Sequence, residues 1–310
     1  MIALKKWFLT ALGGGMAVVL LTRSALAAQG VRDGIDLCLT SVIPALFPFF
    51  AASQLLAVSG AAETLGRLLE PLFRRLLGVS GAGAAAFLLG LTGGYPVGAK
   101  TAESLVRQRL LTPEEGAALL TFCNNAGPAF VVGIAGNGVF HSPRAGIWLY
   151  LIHTVSAVMV GSLFAALRRC TSGGRRVSAA PSAVPAAQRL SVSGAFIGAV
   201  QGGVRAMAGV CGFVIFFLTA LRLAESFLGS LPPLAAGAVE LTNGILRLTA
   251  DGTGFVTAAG LLGWGGLSVH CQTAAVVGGS GISLRWYLPA KAAQGLLSAA
   301  LAAAVWRWAL

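Results

Sequence analysis

Two apolar stretches of this 310-residue chain are interrupted by polar, glycine-rich words, and the interruptions fall at matching places in its two halves. The first half carries Gly93-Gly94-Tyr95-Pro96-Val97-Gly98-Ala99-Lys100, then Cys123-Asn124-Asn125-Ala126-Gly127-Pro128. The second carries Glu240-Leu241-Thr242-Asn243-Gly244, then Gly263-Trp264-Gly265-Gly266-Leu267-Ser268-Val269-His270-Cys271-Gln272. Inside a bilayer, backbone that leaves a helix survives only where protein or a water-filled cavity satisfies its N–H and C=O groups. Paired interruptions of this kind point to a solute site near the bilayer midplane.

Composition supplies the bilayer. The chain is 56% hydrophobic and 10% charged, against about 25% charged in soluble domains. The net charge of +12 sits in basic clusters between apolar segments, as the positive-inside bias of a polytopic protein requires. Those clusters are not interleaved with aromatics on a soluble face, so no nucleic-acid partner is expected. Cys38, Cys123, Cys170, Cys211 and Cys271 show no metal-ligand spacing, and neither zinc nor a disulfide framework is expected.

Hydropathy and charge divide an all-α chain as follows. Residues 1–34 hold a first span, about Trp7 to Ala28, behind Lys5 and Lys6. Its end, Ala25-Leu26-Ala27, also looks like a signal-peptidase site; retention is preferred, because the membrane-embedded chain that follows needs this segment to set topology. A span at Ile35–Val58 contains Pro44 and Pro48 and should kink. Arg67, Glu70, Arg74 and Arg75 alternate with leucines over 62–77, which suits an interfacial amphipathic helix. Residues 82–99 are short and dense in glycine, and a re-entrant hairpin fits them better than a span. Thr112-Pro113-Glu114-Glu115 carries the marks of a helix start. The helix it opens runs through the two asparagines to about Gly136, and Ala145–Leu167 follows.

A basic linker covers 168–191, with Arg168, Arg169, Arg175 and Arg176. Beyond it come a span at Val192–Leu221 and a short segment at Leu231–Ala250 broken at Thr242-Asn243-Gly244. An interrupted span at Gly254–Gly279 and a last span at Tyr287–Trp306 complete the chain. With the basic clusters placed inside, the second hairpin enters from the opposite side. Residues 192–310 then repeat 35–167 in inverted orientation, a recurring transporter architecture.

Several residues can carry function. Amides of Gly93, Gly94 and their neighbours can approach a ligand, a half-helix N-terminus favours anions, and Lys100 adds a positive charge or is merely the hairpin's flank. Asn124 and Asn125, deep in a span, either bind solute or hold helices together. Glu240 is an acid in an apolar segment, where ionisable groups are costly and usually functional; it can also be a partner for Arg247. Thr242 and Asn243 add adjacent polar contacts. Ser268 and Gln272 share a helical face at spacing four, and His270 points elsewhere, where it serves as a proton relay or a structural hydrogen-bonding group. There is no nucleophile with an assignable base, no carboxylate pair and no HExxH, so an enzyme is not expected.

The ordered set of words resembles the YlbJ-type sporulation integral membrane proteins, which carry the nucleoside recognition, or Gate, domain. The words are Ser41 to Phe50, Leu91 to Lys100, the Thr-Pro-Glu-Glu start and Thr121 to Pro128. The resemblance implies a concentrative-nucleoside-transporter-like fold, with two re-entrant hairpins and two broken spans around a central site. Gly94 and Tyr95 would lie at one hairpin tip and Glu240 to Asn243 at the other, with Asn124, Asn125 and Ser268 on the broken spans. It further implies transport of dipicolinate across the outer forespore membrane of a spore-forming bacterium, with Tyr95 or Trp264 stacking on its ring. The first tip lacks the Gln-Thr-Glu type of word that helps bind a nucleoside. No cofactor is expected. A proton or sodium coupling ion, another solute, a scaffolding role, and association with a second copy or with other sporulation membrane proteins stay open.

Overall fold

The computed structural model describes residues 2–171 and 191–310. These form fourteen α-helices and two π-helical segments, with no strand among the described residues. Most of the linker expected over 168–191 lies outside the described residues; its first residues complete helix α8.

Helix α1 (Ile2–Thr22) stops at Arg23, and α2 (Ser24–Leu37) runs through a π-helical turn, Cys38–Val42, into α3 (Ile43–Val58). The first helix therefore ends earlier than the span expected to reach Ala28, and Ser24–Ala28 belongs to the second helix. Arg23 stacks over Phe227 at 5.0 Å, and the break lets its charge sit at that edge. The expected kink takes the form of the π-turn. A proline ring clashes with the carbonyl four residues back, and for Pro44 that residue is Thr40, inside the widened turn.

The amphipathic α4 (Ala61–Leu76) carries an Arg74–Glu70 ion pair on its exposed side. It bends by 101° into α5 (Gly81–Gly93). After the tip Gly94-Tyr95-Pro96 the chain continues as α6 (Val97–Arg107). Next, α7 (Pro113–Cys123) opens with a full capping box: Thr112 accepts from the Glu115 N–H, and Glu115 accepts from the Thr112 N–H. It breaks at Asn124–Pro128, and a π-helical stretch (Ala129–Val139) leads to α8 (Pro143–Thr171).

In the second half, α9 (Val192–Leu228) is followed by two short helices, α10 (Pro233–Val239) and α11 (Leu241–Leu246). Glu240 alone separates them, so the break falls there and not at Thr242-Asn243-Gly244. The chain continues as α12 (Gly252–Trp264), α13 (Gly266–Val277) and α14 (Tyr287–Ala309). Among the described residues, four helices are long and apolar enough to cross a bilayer: Ser24–Val58, Pro143–Cys170, Val192–Leu228 and Tyr287–Ala309.

The largest apolar cluster joins the two halves. It sets Tyr95, Ala126 and Phe130 of the first against Leu241, Phe255, Leu262 and Val269 of the second. Between membrane helices, close packing of small residues replaces the hydrophobic drive that holds soluble cores. One edge is tied by charge: Arg247 binds Glu225 through two nitrogens at 2.5 and 3.2 Å, and Arg222 lies 3.3 Å from Asp33.

Candidate functional site: a polar core between two helix breaks

The first hairpin is pinned by backbone contact. Side chains added at Gly90 or Gly98 would overlap the Cys123 carbonyl oxygen, so the two arms straddle the end of α7 where only glycine fits. At the tip, Gly94 has φ +76°, and a Cβ there would lie 2.9 Å from the Gly127 nitrogen. Part of this glycine word thus serves helix-to-helix approach, with Gly93 and Gly94 still presented to a cavity.

That cavity measures about 40 Å³. Its walls come from the hairpin tip and both breaks, with Gly93, Gly94, Tyr95, Ala126 and Gly127 on one side and Glu240, Leu241, Thr242 and Gln272 on the other, and from apolar residues of α3 and α9. Such a volume suits about one water molecule, whereas pockets for small organic ligands run to about 300 Å³ or more.

The second break is capped by its own acid. Glu240 accepts from the Thr242 N–H at 3.2 Å and the Asn243 N–H at 2.7 Å. It is 2% exposed. Its expected alternative partner, Arg247, is bound to Glu225 instead. A carboxylate at the N-terminus of a helix satisfies amides that have no partner within the helix. On α13, Gln272 donates to Ser268 Oγ at 3.4 Å, as their shared face predicts. Its Oε1, together with Asn243 Oδ1 and His270 Nε2, is buried without a hydrogen-bond partner among the described residues.

The first break is different. Asn124 donates to Thr273 Oγ1 at 2.8 Å and to Tyr287 Oη at 3.2 Å, and its Oδ1 accepts from the Ala99 N–H at 3.4 Å. Asn125 donates to the Phe122 carbonyl at 2.7 Å and accepts from Gln294 Nε2 at 3.2 Å. The freed Ala126 N–H donates to His153 Nε2 at 3.0 Å. Both asparagines are fully buried, and their side chains tie α7 to α6, α13 and α14. His270 contacts Tyr287 Oη through Nδ1 at 3.2 Å, with its ring 4.3 Å from that of Trp264.

At the centre of this network stands Lys291, on α14 and fully buried. Its ammonium donates to the Asn124 carbonyl at 3.1 Å and to Gln294 Oε1 at 2.6 Å, and lies 5.4 Å from the centre of the Tyr95 ring. Lys100, the cation expected at the first tip, is exposed on α6 and is not among the residues lining the cavity. Lys291 escaped sequence reasoning because it sits close to the interfacial Arg285 and Trp286 and passes for a flank. Tyr287, Lys291, Gln294 and Ser298 recur at spacings of four, three and four, however, and that polar stripe on an apolar helix is a signal.

Interrupted helices meeting at a buried polar core within a bundle of long apolar helices define a multi-pass integral membrane protein. Residues 39–167 match the Gate family, described as nucleoside recognition. Over 315 aligned positions the chain is 26% identical to the sporulation integral membrane protein YlbJ of Bacillus subtilis (strain 168), covering 90% of this chain and 77% of that protein. The chain is thus similar to a sporulation integral membrane protein, and the stretch over 39–167 is similar to the Gate family. No solved structure matches it.

Proposed function

We propose that this protein moves a small anionic solute across a membrane during sporulation, and that the two breaks form the two walls of its path. The observation that carries the reading is the shared cavity: residues about 150 positions apart in sequence, Gly93–Tyr95 and Glu240–Thr242, line one space. Around it the order span, hairpin, broken helix, span occurs twice, within 35–167 and within 192–310. This supports an inverted repeat with two re-entrant hairpins, in the manner of concentrative nucleoside transporters. Irregular backbone in a bilayer is tolerated where it lines such a space.

The solute best suited is dipicolinate, crossing the outer forespore membrane. Similarity to a sporulation membrane protein supports the setting, and an aromatic neighbour, Tyr95, supports a flat ring. Gln272 Oε1, an acceptor with no partner among the described residues, is available to a bridging water. Because a space of about 40 Å³ is too small for such a solute, loading requires the tips to separate. Purified protein in liposomes should accumulate dipicolinate above protein-free vesicles; absence of uptake under proton, sodium and zero gradients would refute the reading. The family description favours a second candidate, a nucleoside, and uridine and adenosine belong in the same uptake panel.

A further inference from the structure

We propose that Lys291 is the counter-charge for a carboxylate of the transported solute, and that the Tyr95 ring is the partition between it and the cavity. The inference rests on the transport reading and adds the residue that receives the charge.

An ammonium deep in a membrane protein is costly, and such groups usually face the bundle interior and mark a substrate or ion pathway. Lys291 fits this description with one distinction. Among the described residues no carboxylate lies within ion-pair distance of it; the ion pairs there involve only arginines. Its two hydrogen-bond acceptors are a backbone carbonyl and an amide, and its third neighbour is the face of Tyr95. A buried charge needs pairing and full hydrogen bonding to offset its lost hydration. Three neutral neighbours do so incompletely and leave a place in the electrostatics for an anion. Glu240, the buried carboxylate beside the cavity, is engaged with the α11 amides.

Position supplies the second half of the argument. Tyr95 belongs to two places at once: it lines the cavity and it covers Lys291. It sits at the hairpin tip, where helix geometry is already lost, and one hydroxyl bond, to the Leu262 carbonyl at 3.1 Å, ties it to the second half. Displacing this ring would join the cavity to the ammonium. An arriving carboxylate would replace the weak cation–π contact with a charge-assisted hydrogen bond, which is about twice as strong as a neutral one. Departure of the solute would restore the ring. Charge recognition and closure thus reside in one pair of residues from opposite halves of the chain.

The test is binding to the purified full-length protein, read as ligand-dependent thermal stabilisation. Dipicolinate is compared with its neutral analogue, pyridine-2,6-dicarboxamide, on wild type and Lys291→Met. Wild type should prefer the dianion, and Lys291→Met should bind it about tenfold to a hundredfold more weakly, the range for loss of a charged hydrogen bond. Its weak response to the diamide should be unchanged. Equal dianion binding by wild type and variant would overturn the role of Lys291 and leave the transport reading standing. Failure of wild type to bind either compound would overturn both.

Should Lys291→Met lose a cooperative melt, wild type decides alone through amine-selective acylation read by mass spectrometry. Lys291 should be modified slowly and be protected by dipicolinate, while exposed Lys100 is modified at one rate throughout. Modification of Lys291 that dipicolinate does not slow, or no modification at all, would overturn the proposal.

Discussion

The two helix breaks solve the same problem by opposite means. At the first, Asn124–Gly127, the Asn124 carbonyl accepts from Lys291 and the Ala126 N–H donates to His153, while the asparagine side chains reach Thr273, Tyr287 and Gln294, all far away in sequence. At the second, Glu240 satisfies the two nearest amides itself. The first is a lock between halves of the molecule, and the second is a hinge that carries its own cap. A break held by long-range bonds cannot move without dismantling the core, whereas a self-capped one can travel as a unit. Stability and transport should therefore be separable, with the first break governing stability and the second governing flux.

Asn124→Ala should have the largest effect on stability. It removes three hydrogen bonds in the buried core and leaves Thr273 and Tyr287 short of a partner, a loss of about 2–3 kcal/mol, seen as a lowered melting temperature in detergent. Glu240→Ala should cost less, about 1 kcal/mol for a lost cap, yet abolish dipicolinate uptake in liposomes. If Glu240→Ala proves the more destabilising of the two, or transports normally, the contrast between lock and hinge fails. Tyr95→Phe removes only the hydroxyl bond to Leu262 and should cost up to about 1 kcal/mol. Because the partition is then held less firmly, acylation of Lys291 should quicken; an unchanged rate would sharpen the comparison by showing that ring packing alone keeps Tyr95 in place. Thr112→Ala, in the capping box remote from the cavity, should cost about 0.5–1 kcal/mol and leave uptake unaltered once protein amounts are matched.

The break at Asn124–Gly127 and the turn at Gly94-Tyr95-Pro96 were legible in the sequence because glycine, proline and asparagine words inside apolar runs have few other readings. The Thr112–Glu115 start was equally legible, since a capping box is a local pattern of fixed spacing. Three things were not. The break at Glu240 was displaced onto Thr242-Asn243-Gly244, because Asn-Gly is a stronger turn signal than glutamate is a cap. At Gly244 a Cβ would collide with the Gly237 backbone, so that glycine serves the packing of α10 on α11. The division of labour among the polar residues was also hidden. Whether an asparagine faces a solute or another helix depends on α13 and α14, more than 140 positions away. Lys291 was missed for the same reason: its burial is made by residues from the other half of the chain, and near a helix end the local pattern of a core lysine matches that of a flanking one.

Ala126 of the first break and Leu241 of the second both line the cavity, and on the proposed transport reading the solute passes between them. Ala126→Cys/Leu241→Cys, bridged reversibly by a short thiol crosslinker in proteoliposomes, tests it most directly. Uptake of dipicolinate should stop on bridging and return on reduction, while each single variant treated in the same way keeps its flux. Bridged protein that transports at the unbridged rate would contradict the account.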